Sequence, residues 1–260
     1  MLRRANTDGY IDENAEAKVC QDLVLKALSV STLSRNVTIK GGVVMREISH
    51  DARRATQDMD IDFIRYSLSD ESINQFIQKL NCLEGIHFKQ VGMITELKHQ
   101  DYHGKRVYVE ISDDTGDSIV SKIDLGVHKN LSIEQEEYCF DIACYEEGAN
   151  LLINSKEQMF VEKLRSLLKF GENSSRFKDI YDMCFLLDML DKEKLNICFD
   201  IFVFHDSGMK ENNMDDVRRR VKSTFASDLY LSRLGSSKKN WLDIDNSTVI
   251  NELIAFLEAL

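Results

Sequence analysis

The chain has 260 residues, 43% of them hydrophobic and 30% charged, and a net charge of −11, a composition that supplies a core and excludes disorder. The acidity argues against generic electrostatic binding to nucleic acid, which depends on neutralising phosphates with lysine and arginine, so RNA or DNA would need a local basic patch. No stretch approaches the roughly 20 apolar residues of a membrane-spanning helix, and "MLRRANTDGYIDENAEAK" at the N-terminus lacks the apolar run of a signal peptide, so no membrane association and a cytoplasmic location are expected.

The length predicts two units. Residues 12–34 space Val19, Leu23, Leu25 and Leu28 as a helix does, and "NVTIK" after them is β-branched and strand-like. That strand runs into Gly41-Gly42. "VVMREISHD" then reads as a helix, "DMDIDFIRY" alternates acidic and apolar residues as a strand, and "SDESINQFIQKLNCL" opens on capping residues and continues as a helix. Three β-rich runs follow, "GIHFKQVGMITELKH", "KRVYVEIS" and "SIVSKIDLGV", which predict an antiparallel or mixed sheet. From about residue 155 the period changes, and "SKEQMFVEKLRSLLKF", "SRFKDIYDMCFLLDML", "KEKLNICFDIFVF", "MDDVRRRVKSTFASDLYLSRL" and "STVINELIAFLEAL" each predict helix. The expected fold is therefore α+β, with a mixed-sheet domain over 1–150 and a helical domain over 151–260. Proline is absent, a feature for which we have no functional account.

The six cysteines (Cys20, Cys82, Cys139, Cys144, Cys184 and Cys198) form no CxxC pair, so neither a disulfide framework nor a zinc ribbon is indicated, and most are expected to be buried thiols. His99 and His103 read as surface residues of a turn. The unusual stretch is "RRATQDMDID". Alternate residues of a strand share a face, so Asp58, Asp60 and Asp62 repel one another along one stripe. One solution is an edge strand whose aspartates point into water. The other is a hard divalent cation such as magnesium, which takes carboxylate oxygens and shares its remaining positions with phosphates. Gly41-Gly42 at a strand-to-helix junction would let backbone N–H groups approach phosphates. Asp124 in "SKIDLGV" supplies a further strand-borne acid among apolar neighbours, and three carboxylates from two strands would form a metal cage.

The order of glycine pair, helix, Asp-x-Asp strand and later third acid resembles that of the polymerase-beta-like nucleotidyltransferases, and "IKGGVVM" with "RRATQDMDIDF" is similar to the AbiEii/AbiGii nucleotidyltransferase toxins. "FVEKLRSLL" followed by "NSSRFKDIYDMCFLL" resembles that family's helical block, so the likeness runs from about 38 to 190. Glycine stands where many relatives have serine. The resemblance implies a nucleotidyltransferase catalytic domain followed by a helical domain that completes the NTP site and binds the acceptor. It implies Mg2+ (or Mn2+) on Asp58, Asp60 and Asp124, catalytic roles for these with Lys163 and Asp179, and nucleotide binding by Gly41, Gly42, Thr56, Lys163, Arg176 and Lys178. Asp62 matches no motif position. The implied activity is transfer of NMP from an NTP to an acceptor hydroxyl, with tRNA 3′ ends or another RNA as acceptor, by the toxin of a toxin–antitoxin pair with a cognate antitoxin as partner. A catalytically weak nucleotide-binding module acting through a partner protein, a protein-nucleotidylating enzyme and a metal-dependent phosphohydrolase are the alternatives. The basic run Arg218, Arg219, Arg220 and Lys222 reads either as an RNA patch or as a solvated helix face.

Overall fold

The computed structural model describes residues 1–97 and 104–260; His99 and His103 lie outside the described residues. The chain divides into two compact units, Met1–Asn154 and Ser155–Leu260.

The first unit opens with α1 (Leu2–Thr7) and α2 (Asp12–Val30), followed by β1 (Val37–Lys40), α3 (Gly41–Ser49), β2 (Met59–Phe63) and α4 (Asp70–Leu80). Five strands complete it: β3 (Ile86–Leu97), β4 (Gly104–Asp113), β5 (Ser118–Val127), β6 (Glu136–Ile142) and β7 (Tyr145–Ile153). Among the described residues the strands form one mixed sheet in the order β3-β4-β5-β2-β1-β7-β6. β2 lies antiparallel to β1 and parallel to β5, and β1 is also parallel to β7.

Period-two alternation gives the central strands two unlike faces. Met59, Ile61 and Phe63 of β2, Ile123 and Leu125 of β5, and Val107, Val109 and Ile111 of β4 are buried, whereas Asp60, Asp62, Asp124 and Arg106 occupy the alternate positions. Helix α2 packs against β5, β6 and β7, α3 against β1 and β2, and α4 against β3. Most of α2 from Lys18 to Leu28 is buried, so its polar side chains need partners inside the fold. They have them: Lys18 holds Asp22 at 2.5 Å, Lys26 holds Glu147 at 2.5 Å, and the Gln21 amide donates to the Thr56 carbonyl at 3.0 Å.

The second unit is helical: α5 (Lys156–Phe170), α6 (Phe177–Leu186), α7 (Lys192–Phe199), α8 (Met214–Phe225), α9 (Asp228–Ser236) and α10 (Asn246–Glu258). Two predicted helices differ from expectation. The run read over 214–234 is broken because the Ser227 hydroxyl accepts from the Tyr230 N–H and starts a new helix. After Phe199 the predicted helix of 192–204 widens into a π-helical segment, Asp200–Phe204. Strands β6 and β7 and helix α1 were not legible in the sequence. Only three cysteines (Cys20, Cys184 and Cys198) are buried, while Cys82, Cys139 and Cys144 are exposed, and all six are free thiols. That departs from the expected majority of buried thiols, because Cys139 and Cys144 belong to the β6–β7 hairpin that the sequence concealed.

Candidate active site

The acidic stripe lies on the polar face of the sheet, at the centre of the strand order. Cα register sets Asp60 of β2 opposite Lys40 of β1 on one side and opposite Asp124 of β5 on the other. Asp60 therefore faces another carboxylate across a strand pair, with Asp58 and Asp62 two residues away. Its carboxyl is pushed up from the usual 3.8 to about 6, by burial first, with Asp124, Asp58 and Asp62 adding to the rise and Lys40 opposing it. Asp58 lies one residue before β2, and its side chain is 53% exposed and paired with Lys122. Asp124 is buried and receives the Arg106 guanidinium as a fork, Nε to Oδ1 and Nη2 to Oδ2, both at 2.7 Å. Asp62 is buried and held by Lys40 Nζ at 2.8 Å.

The glycine pair is the first turn of α3 rather than a turn ahead of it, and no side chain caps that turn. Gly41 has φ +66°, and a Cβ there would stand 2.3 Å from Asp60 Oδ2; a Cβ on Gly42 would stand 2.5 Å from the Thr56 hydroxyl oxygen. Glycine is required at both positions because the start of α3 leans on the acidic stripe and on Thr56. Gly126 of β5 has the same relation to Asp62, whose Oδ1 would meet a Cβ at 2.2 Å.

In the second unit, Lys163 of α5 bridges two acids of α6, reaching Asp182 Oδ2 at 2.7 Å and Asp179 Oδ1 at 3.1 Å. Asp182 is fully buried, and its other oxygen accepts from the Trp241 indole N–H at 2.9 Å. Asp179 Oδ2 is buried with no hydrogen-bond donor, although the Arg176 guanidinium stands 3.9 Å away. Lys178 lies half-buried on the same helix. The basic run is tied up locally: Arg218 with Asp215 and the Leu257 carbonyl, Arg219 with Asp216, Arg220 with the Leu168 carbonyl, and Lys222 with Glu258. Those contacts favour the solvated-face reading over an RNA patch.

The family model described as "Nucleotidyl transferase AbiEii toxin, Type IV TA system" matches residues 23–241. The chain belongs to the AbiEii family. No curated protein matches it. AbiEii proteins are nucleotidyltransferase toxins of type IV toxin–antitoxin systems, and membership implies an antitoxin partner. The match reaches Trp241, which sequence reasoning passed over although it is the chain's one tryptophan. Lys40, Arg106 and Lys122 were passed over too, since a strand-borne cation looks like any solvent-facing residue until the register is known. Among the described residues no helix is long and apolar enough to cross a membrane.

The donor chemistry on the AbiEii polar face suits a hard divalent ion. Asp58, Asp60 and Asp124 offer carboxylate oxygens only, Asp60 and Asp124 are register partners, and their repulsion adds to the rise that burial gives the Asp60 carboxyl. As they stand, no three His, Cys, Asp or Glu side chains among the described residues are grouped to hold a metal. Two of the three carboxylates are instead engaged by Arg106 and Lys122.

Proposed function

We propose that the protein transfers a nucleoside monophosphate from an NTP to an acceptor hydroxyl, with Mg2+ (or Mn2+) held by Asp58, Asp60 and Asp124. The observation that carries this reading is the register that sets Asp60 beside Asp124, with the first turn of α3 against it. The acceptor hydroxyl gives its proton up to solvent as its oxygen forms a bond to the α-phosphorus, the bond from that phosphorus to the oxygen bridging to the β-phosphate breaks, and pyrophosphate leaves. A divalent ion here would neutralise charge on the phosphates and orient the attacking oxygen. The N–H groups of the first turn of α3, opened by Gly41 and Gly42 and lined by Thr56, receive phosphate oxygens. The family resemblance also implies nucleotide-binding roles for Lys163, Arg176 and Lys178 and a catalytic role for Asp179; within the second unit Lys163 is a compact positive charge suited to phosphate, and it lies against Asp179.

In this reading the acceptor is the 3′ end of tRNA or another RNA, and the site of action is the cytoplasm. A second reading, in which a protein hydroxyl is the acceptor, is favoured by one observation: Arg218, Arg219, Arg220 and Lys222 are spent on neighbouring carboxylates and carbonyls. Incubating the protein with Mg2+, each α-labelled NTP in turn and total bacterial tRNA separates the two. Label in tRNA that vanishes in Asp58→Ala and Asp60→Ala is the expected result. Label in protein would replace the acceptor, and saturable NTP binding without pyrophosphate release would replace the enzyme with a nucleotide-binding module acting through a partner.

A further inference from the structure

The polar face of the sheet solves its own charge problem. Four aspartates crowd it, and three cationic side chains answer them nearly one for one: Lys40 with Asp62, Lys122 with Asp58 and Arg106 with Asp124. The three pairs are not alike. Lys40 is 19% exposed at its side chain, and its partner Asp62 is buried against Gly126, so that pair is part of the sheet. Arg106 and Lys122 are 31% and 30% exposed, and their heads reach solvent at the end of long, flexible stems. Their partners, Asp124 and Asp58, are two of the three acids that would hold the metal.

We propose that Arg106 and Lys122 are exchangeable counter-ions of the metal site: they pair with Asp124 and Asp58 while the divalent ion is absent, and turn to the NTP phosphates when it binds. This inference rests on the metal-binding reading above. The register explains the placement. Arg106 faces Asp124 directly across the antiparallel β4–β5 pair, and Lys122 lies two residues before Asp124 on the same face of β5. A guanidinium forked onto both oxygens of Asp124 shares its sign with a divalent ion seeking the same carboxylate, so each weakens the other's hold. Displacing it does not strand a charge in the core, because the head is already partly solvated. Once displaced, a bidentate donor and a point charge lie beside the bound metal, where a triphosphate brings its oxygens. Metal and nucleotide binding are then coupled through two side chains that change partners.

The opposite arrangement, in which Arg106 is a permanent clamp that orients Asp124 for the metal, predicts an effect of opposite sign. Isothermal titration of the full chain with Mn2+ decides between them, using Lys122→Gln, Arg106→Gln and the double variant. Exchange predicts Mn2+ affinity raised by about tenfold in each single variant, a change of about 1.4 kcal/mol. With Mn2+ saturating, affinity for a non-hydrolysable ATP analogue should fall by a similar factor. Metal-free Arg106→Gln should melt below the wild type and recover on adding Mn2+, because the uncompensated Asp124 gains the ion in place of the guanidinium. Lys122→Gln guards against misfolding, since its partner Asp58 is mostly exposed. Mn2+ affinity unchanged or weakened in the variants would overturn the proposal while leaving the metal reading intact. A wild type silent to Mn2+ beside a double variant that binds it would support the exchange in its strongest form. Silence in both would overturn the metal reading and the exchange with it.

Discussion

Asp60 stands between a lysine on β1 and a carboxylate on β5, and its carboxyl, raised by burial first and by the neighbouring aspartates second, has a measurable consequence. Between its usual 3.8 and about 6 the folded chain holds a proton that the unfolded chain has lost, so this residue's contribution to stability falls as pH rises through that window. Ionised Asp60 then costs the metal-free protein up to about 3 kcal/mol at pH 7, at 1.36 kcal/mol per unit; its partial exposure makes this an upper bound. Asp60→Asn should therefore raise the denaturation midpoint at pH 7, by about half as much at pH 5, and hardly at all near pH 3. Chemical denaturation of both proteins across that range checks the direction, and a variant less stable at pH 7 would show that Asp60 is better compensated than its neighbours suggest. The stripe itself was legible in the sequence, because period two is a property of any strand and acids at that period are conspicuous. Its compensation was not: Lys40, Arg106 and Lys122 acquire meaning only when three different strands are placed side by side.

At the scale of elements, strong periodicity was read well and weak periodicity was lost. β2, β4 and β5 show clean alternation because one face is core. β6 and β7 are a hairpin whose "EEYCFDI" and "YEEGANLLI" mix exposed acids and a glycine with a few buried residues, so the turn signals outweighed the strand signal. The helical unit shows the same limit in another form, since Trp241 follows α9 in irregular chain and reveals itself only by reaching back to α6. Asp182 is fully buried and takes hydrogen bonds from that indole and from Lys163, so losing either donor weakens the hold on a buried carboxylate. Trp241→Phe keeps the ring against Phe185, 5.4 Å away, and removes the N–H alone. We expect it to destabilise the helical unit by about 1.5–3 kcal/mol, the usual cost for a hydrogen bond to a charged group. Urea unfolding followed by circular dichroism measures this, and a loss below about 0.5 kcal/mol would show the bond to be unimportant.

Taken whole, the molecule is an acidic protein in whose conspicuous basic run Arg218, Arg219 and Lys222 are each paired with a carboxylate. Generic nucleic acid should therefore bind weakly, with a Kd above about 10 μM for random single-stranded RNA at physiological salt. Fluorescence anisotropy at several salt concentrations tests this, and tight, steeply salt-dependent binding would mean that the ion pairs of Arg218, Arg219 and Lys222 open for a polyanion. The α+β class and the order of sheet before helices were readable from the change of period, whereas the two exchangeable cations required the assembled sheet. Trp241 carries a last consequence for the helical unit. Because the chain has a single indole, and its N–H is tied to the carboxylate that grips Lys163, red-edge excitation of the protein lights one junction alone. The emission colour and lifetime of that indole form a built-in, label-free optical gauge of whatever pulls on the lysine.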